Sequence, residues 1–272
     1  MRRANLLGLA VVLPLVSGAP LRAQETDPDW HLEGIRTAFC IQLLLDPASD
    51  AVRSLPSSIH PLRAAQAKDL HPSLRDVVSN QSEYASWAPS RLCFHAVDTI
   101  RGQDFASPGK RDRPQLFGYW TVATEALGGQ TRDFLLDLYT TSGRLSRAAG
   151  RLGQPTRESR LRVGKVPAEN DDGVPSSDDR FEVKVGKTLI TWDGGLADDT
   201  VHLKDPLTVQ WAYGRTGSAV GGMTLSPESA RLMVGAIKVE GKDDFAKALK
   251  ASPTRFAGPA YQGGTGVIRM KR

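Results

Sequence analysis

The chain has 272 residues, of which 40% are hydrophobic and 24% are charged, and this ordinary composition excludes a collagen-like or low-complexity disordered chain. The formal net charge of +5 overstates how basic the folded part is, because the first 23 residues contain three arginines and no acidic residue. The remaining 249 residues carry 32 basic and 30 acidic side chains, and this net charge of +2 gives no support to nucleic-acid binding. They are enough to bury a substantial core in one large or two small domains.

Residues 1–23 have the order of a cleavable secretory signal. Two arginines come first, an apolar run of 11 residues at positions 6–16 follows, and small and turn-forming residues end the segment. The apolar run is too short for a membrane-spanning helix, which needs about 20 residues. We predict cleavage after Ala23, with Ala19 as the alternative, and no transmembrane anchor after cleavage. The protein is therefore expected to be extracytoplasmic, either periplasmic or secreted.

The first part after the signal, residues 24–106, is predicted to be helical up to its first strand. Asp27-Pro28 is typical of a helix start, and apolar residues then recur at spacings of three and four. Two His-Pro pairs, beginning at His60 and His71, indicate further helix starts. The period changes to two at residues 92–97, which predicts a strand.

The chain has two cysteines, Cys40 and Cys93, and they are predicted to form a disulfide. Export makes oxidation permissible, and the even count makes pairing the simplest outcome. Closing a loop over a separation of 53 residues would stabilise the fold by about 4 kcal/mol on the chain-entropy model. The alternative is a pair of buried free thiols. In the predicted arrangement the bridge joins the first helix to the first strand.

The second part, residues 115–272, is predicted to be rich in strands with short helices. A polar cluster at residues 107–114 is the predicted loop or boundary before it. Alternation with a period of two marks residues 207–213, and the Gly186-Lys187 turn between two apolar runs indicates a hairpin. Ser142 is a candidate helix N-cap. The predicted fold class is therefore α+β, with N-terminal helices packed on a mainly antiparallel β-sheet.

An acidic segment at residues 193–202 is the candidate metal site. Hard cations such as calcium prefer several oxygen ligands from one compact loop. Asp-Gly turns that simply face water give the same pattern, and the glycine positions do not match an EF-hand. No cofactor other than this calcium ion is predicted. The candidate ligands are Asp193, Asp198, Asp199 and His202.

Aromatic residues at strand positions form the candidate ligand-binding set. Such side chains on the open face of a sheet can stack on sugars or hold an apolar ligand. At alternating strand positions they also form ordinary core, and this alternative stays open. The set consists of Tyr119, Trp120, Trp211 and Tyr213.

No recognisable catalytic motif occurs in the sequence. Residues 216–221 lack the glycine spacing of a serine-nucleophile elbow, and no phosphate-binding glycine loop is present. These observations favour an exported non-catalytic protein that binds a small ligand or another envelope protein. The alternative is an exported hydrolase whose Asp, Glu or His residues come together only in the fold, so whether the protein is an enzyme stays open. A purely structural envelope module is a third class.

Overall fold

The computed structural model describes residues 29–68, 70–111, 113–125, 132–154, 156–169 and 175–271. The predicted signal segment, residues 1–23, lies outside them. Within the described residues the chain is mostly β-strand, in one large sheet that contains both parallel and antiparallel pairs. The strands are β1 (Asp29–Leu45), β2 (Ala88–Gly102), β3 (Phe105–Pro108), β4 (Gln115–Ala123), β5 (Asp133–Thr140), β6 (Thr156–Glu169), β7 (Pro175–Val185), β8 (Thr188–His202), β9 (Leu207–Tyr213), β10 (Ala219–Ser226), β11 (Ser229–Glu240), β12 (Arg255–Ala257), β13 (Ala260–Gln262) and β14 (Thr265–Lys271).

The helices of the described residues are short. None of them is both long and apolar enough to cross a membrane. The α-helices are α1 (Asp50–Arg53), α2 (Pro72–Asn80), α3 (Gly143–Arg151) and α4 (Asp244–Ala251), and 3₁₀ turns occupy Ala64–Gln66 and Ser82–Ser86.

The predicted α+β class, with N-terminal helices packed on a sheet, is therefore wrong, and the largest error lies at the start of the chain. The segment expected to be the first helix is the 17-residue strand β1. β2 pairs with one edge of β1, and β14, β13 and β12 pair with successive parts of the other edge. Because β1 is largely buried on both faces, its sequence lacks the polar alternation by which a half-exposed strand is recognised.

A bulge in β1 produces the helix-like spacing. Gly34 has a φ of +64°, and the register with β2 shifts between Ile35 and Thr37. This irregularity adds a residue to one strand, so Leu32 and Ile35 belong to the same core although they are three positions apart. A spacing of three followed by spacings of four imitates the period of a helix.

Strands β1, β2, β4 and β5 form the shared centre of two closed sheets. β14, β10 and β9 connect the start of β1 with the start of β5 and complete the first closed sheet. β13, β11, β8, β7 and β6 connect β1 with the end of β5 and complete the second closed sheet. Closure pairs strand edges that would otherwise be exposed.

Each closed sheet has its own aromatic core, and the shared strands contribute to both. In β4, Phe117 and Tyr119 belong to the first core and Trp120 to the second, because successive side chains of a strand point to opposite faces. The first core also contains Trp30, Trp211, Tyr213 and Ile268. The second core also contains Phe39, Phe94, Phe181, Trp192 and Phe245.

The first two residues of the segment predicted as a loop or boundary, residues 107–114, belong to β3, and β4 of the same sheet begins directly after the segment. β3 and β4 pair with consecutive parts of one edge of β2. The connection between them contains a backbone bridge between Lys110 and Arg113. The strands before and after this connection therefore belong to the same sheet.

Residues 46–68 and 70–87, between β1 and β2, form a cap. α2 and the two 3₁₀ turns pack around Leu44 of β1 in a small core of their own, whereas Ala51 and Val52 of α1 pack against the second core. The His-Pro pair at the start of α2 acts as predicted, since His71 is the N-cap and its Nδ1 accepts a hydrogen bond of 3.3 Å from the Ser73 amide.

The predicted disulfide between Cys40 and Cys93 is confirmed. The two residues lie directly opposite each other in the antiparallel pair of β1 and β2. The bridge therefore joins two strands and not, as expected, a helix and a strand. The loop that it closes contains the whole cap.

Candidate functional site

The predicted metal-binding segment is part of strand β8 and is not a loop. β8 pairs with β11 from Leu189 to His202, with one register shift on the way. The side chains of Asp199 and His202 are exposed, and those of Asp193 and Asp198 lie outside the side chains that the structure describes. Among the described residues, no group of three or more His, Cys, Asp or Glu side chains is arranged to hold a metal ion. Calcium binding by the segment stays a prediction.

The four predicted ligand-binding aromatics are buried in the two cores. Tyr119 and Trp211 meet inside the first closed sheet, with ring centroids 5.1 Å apart. Tyr213 lies in the same core and donates a hydrogen bond of 2.8 Å to the backbone oxygen of Lys271. Trp120 points into the second core and packs edge-on against Phe245, at 5.1 Å. The structure therefore brings three of the four into one core and places the fourth in the other.

A cleft of about 120 Å³ lies between the cap and the shared strands. We call it the cap cleft. Leu70 and Leu74 of the cap supply apolar wall, and Lys68 lies exposed at the cap side. The shared strands supply the polar groups Gln42, Arg91 and Asp133. Apolar walls with a few converging polar groups are typical of small-molecule sites.

Strand pairing brings these polar residues together. Gln42, Arg91 and Thr121 are consecutive partners across β1, β2 and β4. Asp133 begins β5, opposite Ala123 of β4. Arg91 lies two positions before a member of the first core and Thr121 two positions after one, so both continue that face of the sheet towards the cap. The cap cleft is therefore the polar end of the first core.

Asp133 has an unusual environment for a carboxyl group. The Thr121 hydroxyl donates a hydrogen bond of 2.9 Å to Asp133 Oδ2. Burial raises the pKa of Asp133, and the positive charge of Arg91 and the bond from Thr121 oppose this rise. The protonation of Asp133 therefore depends on how much positive charge the cleft holds.

Two tyrosines lie close to Arg91 and Asp133. Burial raises the pKa of Tyr119, and the charges of Arg91 and Asp133 act on it in opposite directions. Burial also raises the pKa of the half-buried Tyr261, which the charge of Arg91 opposes. Both phenols stay neutral near pH 7 and add an amphipathic surface next to the charged pair.

Hydrogen bonds fix the strands behind the cap cleft. The hydroxyl of Ser90 donates to the backbone oxygen of Thr121 at 2.7 Å, which ties β2 to β4. The same hydroxyl accepts a bond of 2.8 Å from Trp120 Nε1. The buried Ser90 thereby links the second core to the strands that carry Arg91 and Thr121.

The histidines do not take part in this cleft. His95 is buried, and its Nδ1 donates to the backbone oxygen of Phe117 at 3.1 Å. Its ring packs against Phe117 and Tyr119, at centroid distances of 5.7 and 5.8 Å. Burial lowers the pKa of His95 to about 4. His95 is thus a neutral core residue, and His202 is exposed on β8.

Another, wider concavity, of about 700 Å³, lies on the outer face of β9, β10 and β14. Its cationic lining includes Arg269 and Lys271, both exposed, and Arg269 pairs with Asp29 at 3.2 Å. The buried carboxyl group of the cap cleft makes that cleft the stronger candidate site.

Sequence reasoning missed Arg91, Thr121 and Asp133. Arg91 and Asp133 stand at the ends of apolar runs, where a charged residue ordinarily marks the exit of a strand to solvent. The missing signal is the strand order, because 42 positions separate Arg91 from Asp133 and only the pairing of both strands with β4 brings them close.

Comparison with known structures gives weak similarity at low identity. No protein-family model and no curated protein matches the chain. It resembles the enduracididine biosynthesis enzyme MppR complexed with pyruvate at 14% identity and a TM-score of 0.45, over 98% of this chain and 96% of that one. It also resembles an acetoacetate decarboxylase-like enzyme from Sphingomonas wittichii RW1 at 9% identity and a TM-score of 0.46, over 90% and 91% of the two chains. At these values the likeness assigns neither a family nor an activity to this protein.

Proposed function

We propose that this protein is exported and binds a small polar ligand in the cap cleft without converting it. The observation that carries the proposal is the presence of Arg91 and the partly buried Asp133 in one small cleft. A titratable group with a shifted pKa and a specific charged neighbour is characteristic of functional sites. Neither His95 nor His202 lines the cleft, so the histidine bases most common in catalysis are not available there.

Two observations support export. The first 23 residues have the charged, apolar and small-residue order of a secretory signal. The disulfide between Cys40 and Cys93 is of the kind that persists in oxidising compartments. Both are consistent with a ligand-binding protein of the cell envelope or the medium.

The binding proposal is tested with the mature protein, residues 24–272, in a thermal-shift screen of small charged and polar metabolites. We expect at least one class of compound to raise the unfolding temperature. Arg91→Gln and Asp133→Asn should abolish or weaken that rise. Arg215→Gln removes an exposed arginine elsewhere and is the matched control. Equal shifts in wild type, both cleft variants and the control would contradict binding at this cleft.

A second candidate function is hydrolysis, and the raised pKa of Asp133 is the observation that favours it. A carboxyl group with a raised pKa can act as a general acid or base near neutral pH. The test is turnover of small ester and amide substrates by the mature protein. Turnover that Asp133→Asn abolishes would favour the enzyme, and stoichiometric binding without turnover would favour the binding protein.

A further inference from the structure

Side chains of opposite charge line the small cap cleft. Arg91 and Asp133 both line it, and the charge of Arg91 acts on Asp133. Among the described residues, the two side chains form no direct ion pair with each other. The cleft therefore offers a positive group and a negative group that are near each other but not directly paired.

The environment of Asp133 favours the binding of a positively charged hydrogen-bond donor. Thr121 satisfies one of its two oxygens and holds the carboxyl group in place. Burial disfavours the charged form of this group, so a positive donor within hydrogen-bond distance would offset the loss of water. An ammonium group provides both the charge and the donors.

The guanidinium group of Arg91 is suited to bind a carboxylate. It can donate two parallel hydrogen bonds to a carboxylate, a geometry that a lysine cannot reproduce. Gln42, the residue of β1 that pairs with Arg91, adds a neutral amide to the same side of the cleft. The apolar wall from Leu70 and Leu74 suits the short aliphatic part of such a ligand.

The volume limits the size of the ligand. An engineered cavity of about 150 Å³ in another protein holds benzene. The cap cleft, at about 120 Å³, therefore accommodates a molecule of roughly five or six non-hydrogen atoms. Glycine and alanine have this size and carry both charges.

We infer that the ligand of the cap cleft is a small zwitterionic amino acid, whose carboxylate binds Arg91 and whose ammonium group binds Asp133. This inference rests on the proposed binding function and adds the chemical class of the ligand. The volume favours the smallest amino acids, and molecules with one charge leave either Arg91 or Asp133 without its partner.

The test is isothermal titration of the mature wild-type protein with L-alanine, propionate and ethylammonium. The latter two remove one charged group each and keep a similar size. We expect L-alanine to bind at least tenfold more tightly than either, and L-phenylalanine to show no binding. Asp133→Asn should reduce L-alanine affinity at least tenfold and leave propionate affinity unreduced. Arg91→Gln should reduce L-alanine affinity and leave ethylammonium affinity unreduced, and Arg215→Gln should change nothing.

The wild-type series decides the inference even if a variant fails to fold. Propionate or ethylammonium binding as tightly as L-alanine would overturn the zwitterion inference and leave the proposed binding function in place. Binding of none of the probes, with no stabilising compound in the wider screen, would overturn both.

Discussion

Burial disfavours the ionised carboxylate of Asp133, whereas the proposed ligand requires this carboxylate to be ionised. Its one fixed hydrogen bond, from Thr121, leaves the second oxygen available to a ligand. Groups held in this way commonly lower the stability of the free protein, because function and stability place different demands on the same residue. The stability of Asp133 variants should therefore depend on pH.

We expect Asp133→Asn to be more stable than wild type at pH 7 and equally stable near pH 4. Because the pKa of Asp133 is raised in the folded state, the folded protein binds this proton more tightly than the unfolded chain. Stability is therefore lost as pH rises above the unfolded value, and asparagine does not ionise. Thermal unfolding at both pH values measures the difference. The exposed Asp205→Asn should show no such pattern, and a loss of stability in Asp133→Asn at both pH values would contradict it.

His95 should make the fold sensitive to acid. Burial lowers its pKa to about 4, against 6.5 in the unfolded chain, so the unfolded state takes up the proton first. The stability that depends on neutral His95 is complete above pH 6.5 and is lost as pH falls to about 4, by about 3 kcal/mol in total. Urea unfolding at pH 7, 5.5 and 4 measures this loss. His95→Phe, which keeps an aromatic ring beside Tyr119, should lose stability less steeply over this interval, whereas the exposed His202→Gln should follow wild type.

The roles of some residues can be predicted from the local sequence, and the roles of others depend on the fold. Ser142 and His71 act locally as N-caps, as their own sequence neighbours predict, but the similar His60-Pro61 pair begins no helix. Arg91 and Asp133 act through residues on other strands, and nothing next to them in the sequence marks a site. The two cysteines could be paired in advance because their number leaves one intramolecular choice.

β1 is the strand on which the architecture depends, since it belongs to both closed sheets. Its bulge at Gly34 lets one strand supply Leu32 and Ile35 to the first core and Phe39 to the second. A Cβ atom at Gly34 would run into the carboxylate of Asp98, which pairs with Arg36 at 2.6 Å. The backbone at this position also has the positive φ that favours glycine.

Gly34→Ala should destabilise the protein by about 1–3 kcal/mol, because the positive φ and the contact with Asp98 both oppose a side chain. The matched control is Gly150→Ala in α3, where a Cβ atom would meet nothing within 4 Å. That change should stabilise the helix by about 0.5–1 kcal/mol. Urea unfolding measures both, and equal effects of the two changes would contradict the role of the bulge.

Strands with one exposed face were predictable, and strands buried on two faces were not. β9 alternates between buried or half-buried and exposed side chains over most of its length, and its pattern predicts it. The hairpin of β7 and β8 was indicated by its Gly186-Lys187 turn. The apolar run that became β11 fits a helix or a strand equally well until its partners β8 and β13 are known. β1 combines burial on both faces with a bulge, and no local pattern separates that combination from a helix.

The described residues form two closed sheets that share four strands, with the cap over the polar end of the first core. In this arrangement Arg91 and Asp133 of the proposed site stand on shared strands, whereas the cap contributes Lys68 and the apolar wall of Leu70 and Leu74. The first strand of the described residues, β1, begins at Asp29, a few positions after the predicted cleavage site.

The natural protein should therefore begin at Gln24 in an extracytoplasmic fraction. Cleavage after Ala23 removes the arginine-flanked apolar run and leaves β1 intact. Intact-mass measurement of the natural protein, with N-terminal sequencing, identifies the first residue. A start at Pro20 would support the alternative cleavage after Ala19, and retention of Met1 in the cell interior would contradict export.

Because the bridge between Cys40 and Cys93 spans the cap, a backbone break in the cap would not divide the molecule. Trypsin acting at the exposed Arg53 would produce two fragments, one holding Cys40 and the other Cys93. They should migrate together in electrophoresis without reductant and separate when reductant is added. A nicked protein would thus remain one covalently linked molecule until the disulfide is reduced.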